Sequence, residues 1–599
     1  MSAIESKDFT LGEIFRDFYA VPDYQREYVW GEEEVEQLLM DIRTEQGNDD
    51  ETEYFIGSIV TCLNKQGRYD LIDGQQRMTT IFLTLCALRD RLRLLGETKI
   101  TTIQNLIATE RVSTKGEETR EPRLDLQYED AGTLIQQLVD DATLTQRAAT
   151  RSIQNMLGAY RTAVAFYTQE FGENAKELRA FFGYLINRVK LIRVRTDSLA
   201  RALKIFETIN DRGVGLDAMD LLKNLLFIRS KPEAFEKLKQ NWKQLVDQLH
   251  GAGEKPLRFL RYFVLSSYGE EKLREDELYD WFVKNEARVG YGRNPIAFVG
   301  ELNAAVAAYL RFLKGTGPDG NRNPAMESLA LLAGKSTRQH LILLLAAREL
   351  PVPLFTALCQ DAERILFVYL IARQNNREFE VFFPNWALEV RKLTTAAEYE
   401  TFAARTFLKR RAELAERFKR EFVAIDGNSI KRYQLRYVVA KLTQAVDLAG
   451  FGADSEGHRW LSRYCDGAAS HIEHIAPQTP GFESRAEFGD RADDPTLIWS
   501  IGNLALAESA INHSLGNKPF SAAVGAYPTL QPLKSAVYPQ SQFLLTRAIS
   551  GEIKIGKNSA IDRAVASFTP FTEWNVGAVH ARASMLSDLA MRVWDVQAT

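Results

Sequence analysis

From about residue 230 to 440 this chain reads as one helix after another, broken only near Gly290 to Pro295 and Gly315 to Pro324. On either side the pattern changes, and both ends mix strand and helix signals. A chain of 599 residues exceeds what a single core serves, so about two to four domains are expected. The reading is a multidomain α+β protein, predominantly helical, divided as 1–230, 231–440 and 441–599.

The N-terminal part places chemistry on a strand–loop–helix unit. Val21 to Trp30 is an extended, Pro-led aromatic segment, and Glu32 to Ile42 carries Val35, Leu38, Leu39 and Ile42 at helical spacing. Two β-rich runs follow, Tyr54 to Cys62 and Tyr69 to Ile72, joined by a polar turn at Asn64 to Gly67. Next comes Asp73-Gly74-Gln75-Gln76-Arg77, and then a strong helix from Met78 to about Leu95. A loop feeding a helix N-terminus offers backbone N–H groups and a positive dipole end to a phosphate. Gly74 allows close approach, Arg77 can clamp phosphate oxygens, Gln75 and Gln76 donate amides, and Asp73 can hold a metal or water. The competing reading is a capped turn with an ordinary surface arginine. A second compact pair, Gln25-Arg26, favours a shared anion site. A strand pattern at Leu191 to Val194 is followed by the polar signature Phe206 to Leu216, with Asp217 able to cap a helix running to Phe227. Gly334-Lys335-Ser336-Thr337 looks like the tail of a P-loop, but Leu329 stands where its first glycine belongs and both flanks read as helix. It is rejected.

The C-terminal part gathers three of the seven histidines: Ser470-His471-Ile472-Glu473-His474-Ile475-Ala476-Pro477, then Ile501-Gly502-Asn503-Leu504, then Asn512-His513. A base, a ligand set for a hard or borderline cation, and an amide to orient the base are what a single-metal phosphodiesterase needs. On a strand, His471 and Glu473 face one way and His474 the other. A bend at the strand end would aim Glu473 and His474 at one metal-bound water and phosphate. Two histidines alone would read as a hydrogen-bonded core pair; Asn503 and Asn512 at ordered spacing favour the site.

The formal net charge of −4 confines any DNA-binding surface to a local patch. One candidate runs from Arg405 to Lys441 and includes Arg410, Arg411, Lys431 and Arg432, with Tyr433 and Tyr437 interleaved. Clustered cations bind phosphates by counterion release; the competing reading is a solvated helix face. Cys62, Cys86, Cys359 and Cys465 form no CxxC pair, which suits a reducing cytoplasm and excludes a cysteine zinc site. No secretory signal is seen at Met1 to Glu5, and no apolar run approaches a membrane span, the longest being Leu341 to Ala347, a buried helix.

These residues carry a resemblance. Val21 to Trp30, Phe55-Ile56-Gly57-Ser58, Asp70 to Arg77 and Phe206 to Asn224 resemble the N-terminal domain of GmrSD-type modification-dependent (type IV) restriction enzymes, which is similar to the ParB/sulfiredoxin-like α/β fold. Ile472 to Ile475 with Pro477, Ile501 to Leu504, Asn512, Asn517 to Phe520 and the Trp574 to Trp594 helix resemble the His-Me finger (HNH-like, ββα-metal) nuclease domain of the same enzymes. The resemblance implies a domain that binds and hydrolyses an NTP (GTP or ATP) and senses modified phage DNA, coupled to an Mg²⁺- or Mn²⁺-dependent endonuclease. The modification would be glucosylated hydroxymethylcytosine or a phosphorothioate linkage. Asp73, Gly74, Gln75, Gln76 and Arg77 would contact the nucleotide, with Gln25 and Arg26 nearby. His474 would be the general base and Asn503 its orienting partner. Glu473 and Asn512 would form the metal set, with His513 and His471 as ligands or neighbours. The family's lysine soon after the Asn-x-Pro-Phe segment is missing; Lys534 fits that context after an insertion and joins the DNA-binding candidates. The whole reads as a cytoplasmic antiphage endonuclease that acts without a membrane; one centre cuts one strand, so a double-strand break needs two protomers, as in a homodimer, or two visits. Two other readings stand beside it: an NTP-responsive DNA sensor with a structural C-terminal domain, and a toxin cutting RNA or unmodified DNA.

Overall fold

The computed structural model describes residues 4–597, apart from 23, 24, 26, 49, 50, 65, 113–117, 129, 130, 141–149, 198–200, 203, 204, 206–217, 271, 272, 335, 336, 482–484, 486, 522–531, 552, 554 and 555. The chain divides into two compact units: Met1–Gln240 with Trp281–Ile296, and Asn241–Asp280 with Ala297–Thr599. The helical block recognised at 231–440 is thus shared between them. Each unit is α+β, and helix predominates.

The first unit is built on a six-stranded mixed sheet. Its strands are β1 (Glu5–Thr10), β2 (Tyr19–Val21), β3 (Tyr54–Leu63), β4 (Tyr69–Asp73), β7 (Leu124–Leu126) and β8 (Val189–Thr196), in the order β1-β8-β3-β4-β2-β7; β5 (Ala108–Val112) and β6 (Glu118–Pro122) pair separately. β3 and β4 form the expected antiparallel pair. Their turn is fixed by Asn64, whose Oδ1 accepts from the backbone of Gln66 and Arg68 at 3.0 Å each. The sheet is covered by Glu32–Asn48, Gln75–Leu94, Arg151–Phe171 and Ala175–Asn187, and Leu39, Ile59, Leu71, Phe82 and Leu191 share one core. Each such side chain stabilises the unit by about 1.5–3 kcal/mol. The Phe206 to Leu216 signature and Asp217 lie outside the described residues.

In the second unit the helix Arg432–Phe451 is the spine. Its Arg436 donates to the carbonyls of Cys465, Asp466 and Ser470, anchoring the start of β9 (Ser470–His474). β9 pairs antiparallel with β10 (Leu504–Glu508), with His474 opposite Leu504. The C-terminal helix Val576–Val593 ends in Trp594, which stacks on Phe367 at 3.7 Å and donates its indole N–H to Glu363 at 2.8 Å. The helical middle and the C-terminal residues are therefore one packed body. Leu329 sits buried inside the helix Pro324–Ala333, in keeping with the rejection of a P-loop there.

Two readings of the sequence need correction. Arg411 is fully buried, with Nη1 on Asp361 at 2.8 Å and Nη2 on Asp595 at 3.0 Å, so it ties the core together and is withheld from DNA. The helix Pro295–Leu313 has the length and apolarity to cross a membrane, contrary to the expectation that no run approaches a span. Its apolar face serves the core instead: Phe298 meets Phe263, Tyr309 meets Phe259, and Phe312 stacks on Phe355 at 5.1 Å.

Candidate functional site

Strand alternation sends Glu473 and His474 to opposite faces of β9. Glu473 is 5% exposed, and its Oε1 accepts from Lys534 Nζ at 2.6 Å and from the Tyr538 hydroxyl at 3.1 Å. Lys534, with no exposed surface, also donates to the His474 carbonyl at 2.7 Å. Burial raises the Glu473 carboxyl above its usual range and lowers the Lys534 ammonium below its own, each opposed by the partner's charge. Lys534 reaches this position because its backbone N–H donates to Pro519 and that of Ser535 to Phe520, both at 3.1 Å. The chain therefore returns beside the Asn517 to Phe520 segment, and Lys534 faces a carboxylate rather than DNA.

His474 is 9% exposed. Its ring stands edge-on to Trp499, with centroids 4.5 Å apart and planes at 84°. The Gln478 amide nitrogen lies 3.2 Å from Nδ1 and 3.0 Å from Nε2, covering the ring's polar edge. Burial, and secondly the Lys534 charge, pushes His474 down to about 4, so the imidazole is neutral near pH 7, the form a general base needs. Trp499 is in turn confined. A Cβ on Gly427 would lie 2.9 Å from its Cγ, and the Arg432 guanidinium sits 5.5 Å from its ring centroid. The basic segment thus reaches the candidate base through one tryptophan, while Lys431 and Arg432 themselves are exposed.

Asn503 is fully buried and does not touch the imidazole. Its Oδ1 accepts from Ala476 N at 2.7 Å and from the Trp574 indole at 3.0 Å, while Nδ2 donates to Ala476 O at 3.0 Å and Ile498 O at 2.9 Å. It therefore fixes the backbone bend just after His474. Gly502 makes this possible, since a Cβ there would lie 2.0 Å from the Val579 carbonyl. Arg582 completes the clamp with bonds to the carbonyls of Gly502 and Leu504 at 2.8 and 2.7 Å.

Asn512 and His513 lie on the short helix Ser509–Leu515. His513 Nδ1 donates to the Ser509 carbonyl at 2.6 Å, and its ring is 6.1 Å from that of His471. Glu473 does not fit a metal set with them: its carboxylate is engaged by an ammonium and a hydroxyl on the buried side of the strand. Among the described residues no three His, Cys, Asp or Glu side chains group as a cation would require.

In the first unit, Gly74 opens the helix Gln75–Leu94 in the left-handed region at φ 82°, and no side chain caps that helix. A Cβ at Gly74 would meet Ile59 Cγ2 at 2.5 Å, so only glycine fits. Asp73, its carboxyl raised by burial, accepts from Gly74 N at 2.7 Å. Gln76 holds the aromatic segment: its Oε1 accepts from Val29 N at 2.8 Å and its Nε2 donates to Glu27 O at 2.9 Å. Arg77 donates to the Ser58 carbonyl at 2.9 Å, with its guanidinium against Gly57. Gln25 is 7% exposed, yet its Nε2 has no hydrogen-bond partner among the described residues. Arg26 lies outside them.

Trp499 and Gln478 escaped the sequence reading. Gln478 directly follows Pro477 and Trp499 stands just ahead of Ser500 to Asn503, so each had a position but no chemical signature of its own.

The uncapped glycine loop and the clamped histidine hairpin fall in separate, recognisable domains. Residues 8–227 match the family model of the GmrSD restriction endonuclease N-terminal domain, and residues 413–569 match that of the C-terminal domain. The second range opens within the basic segment, so Lys431, Arg432 and Trp499 belong with His474. No curated protein matches the chain. A chain carrying both domains in this order is a restriction endonuclease. It belongs to the GmrSD restriction endonuclease family.

Proposed function

We propose that this is an NTP-regulated, metal-dependent endonuclease that cleaves modified phage DNA, with a ParB-like N-terminal domain and a His-Me finger nuclease domain. The observation that carries the catalytic part is the placement of His474: its ring stands edge-on to Trp499, its carbonyl is held by Lys534, and Asn503 pins the backbone just beyond it at Ala476. His474 takes a proton from water once Gln478 yields the ring edge. The resulting hydroxide attacks phosphorus, and the P–O bond to the leaving sugar oxygen breaks. Lys431 and Arg432 hold flanking phosphates. Asn512, His513 and His471, without Glu473, would be the donors to a bound Mg²⁺ or Mn²⁺, which would supply charge stabilisation at the phosphate. One such centre cuts one strand, so a double-strand break takes two protomers or two visits. The setting is cytoplasmic.

The loop Asp73 to Arg77 is the proposed NTP site. The supporting features are the uncapped N-terminus of a 20-residue helix, a glycine that no larger residue can replace, and the Gln25 Nε2, which has no hydrogen-bond partner among the described residues. Nucleotide regulates cleavage by binding two conformational states with different affinity. The test is cleavage of matched modified and unmodified phage DNA with Mg²⁺ or Mn²⁺, with and without GTP or ATP. Cutting confined to modified DNA and altered by nucleotide supports the reading. Equal cutting of both DNAs would point to a toxin nuclease, and no cutting under any condition to a sensor.

A further inference from the structure

A cavity of about 230 Å³ lies in the helical middle of the second unit, outside both stretches matched by the family models except at Glu413. One wall is aromatic. Trp386, 8% exposed, packs on Phe407 with centroids 4.9 Å apart, and Phe382 lies 5.2 Å from it. The rest of the lining carries Arg405, Lys409 and Arg410 against a single acid, Glu413.

A five-residue π turn, Ala404–Leu408, produces this part of the lining. Such wide turns are rare and concentrate at functional sites, because their weaker hydrogen bonding must be offset by something else. A π turn brings residues five apart to one side, which turns Arg405 and Arg410 toward the same space. Arg405 is held by Glu389, and the Arg410 guanidinium lies 5.0 Å from the Phe382 ring centroid and 3.5 Å from Glu413. Lys409 enters no ion pair among the described residues, so the lining has surplus positive charge.

Aromatic rings beside a basic lining in which Lys409 is unneutralised select a ligand that is planar at one end and anionic at the other. The volume falls short of the ~300–1,000 Å³ of drug-sized sites and suits one heterocycle. We propose that this cavity receives a single nucleotide of the DNA, its base turned out against Phe382 and Trp386 and its phosphate held by Lys409 and Arg410. The assignment of DNA as the ligand rests on the nuclease reading. The cavity gives this chain a contact with individual bases at a site separate from His474.

The test is equilibrium binding of a short fluorescent DNA duplex to the full chain carrying His474→Ala, so that the DNA stays intact, across a salt series. Lys409→Ala on that background should weaken binding roughly tenfold and flatten the log–log salt slope by about one. Phe382→Leu should weaken binding while leaving the slope unchanged, since stacking releases no counterions. Both positions are solvent-accessible, and an unaltered unfolding transition verifies the fold. DNA binding that ignores both substitutions overturns the cavity assignment and leaves the nuclease reading intact. A His474→Ala chain with no DNA affinity overturns both. Capture of a free deoxynucleoside monophosphate by the cavity, with DNA affinity indifferent to Lys409, overturns DNA as its ligand.

Discussion

Lys534 Nζ lies 2.6 Å from Glu473 Oε1, and the pair is sealed from solvent directly behind the strand that presents His474. The same ammonium holds the His474 carbonyl, so one buried cation sets both the charge balance and the path of the backbone at the candidate base.

Removing one partner of this pair should therefore cost more than removing both. Lys534→Met leaves a buried, uncompensated carboxylate and should destabilise the second unit by about 3–5 kcal/mol. Adding Glu473→Leu should recover most of that loss. Chemical denaturation of the three proteins checks it. A Lys534→Met chain of native stability but weakened DNA binding would return Lys534 to the DNA-contacting role suggested by sequence.

Gly427 should be intolerant for a reason confined to Trp499. Gly427→Val places carbon against a ring only 2.9 Å from the nearest Cβ position, and overpacking of this kind costs about 1–3 kcal/mol. Cleavage should fall with it, because Trp499 can no longer set the His474 ring. Gly467→Ala, which meets nothing within 4 Å, is the control and should be silent in both stability and cleavage assays.

Acid should affect His474 in two ways. Its folded value of about 4 lies below the ordinary 6.5, because burial and the Lys534 charge disfavour the imidazolium. The neutral ring's contribution to stability is complete above pH 6.5, shrinks as pH falls, and is gone once pH passes below about 4. Cleavage that depends on neutral His474 should keep its acid limb near pH 4. Trp499→Ala admits water to the ring and should move that limb upward toward 6.5 in a pH–rate profile.

The glycine loop makes a separable prediction. Gly74→Ala forces a side chain into the left-handed region and against Ile59, and should abolish nucleotide binding by distorting the helix start. Gln25→Ala removes an amide whose Nε2 has no hydrogen-bond partner among the described residues, and should weaken nucleotide binding while leaving thermal stability unchanged. Titration calorimetry with GTP and ATP, alongside a melting curve, separates the two effects.

The helical block and the β3–β4 hairpin were legible because their signals are local: apolar spacing, and a polar turn between β-rich runs. Membership of the family was legible because several motifs stand in order along the chain. What remained hidden was set by distance. Nothing local distinguishes the buried Arg411, bound to Asp361 and Asp595, from the half-buried Arg410 beside it. Trp499 and His474 meet only because Asn503 folds the intervening segment back. The side of β9 that Glu473 faces depended on where Lys534 arrives, after an insertion whose length gave no clue to its end point.

The account turns on His474 acting as the base, and the most direct measurement is cleavage of one modified DNA by wild type and by His474→Ala, with DNA binding measured in parallel. The account predicts that the variant binds normally and loses about 10²- to 10⁴-fold in rate, as expected when a general base is removed. Undiminished cleavage by His474→Ala would contradict it.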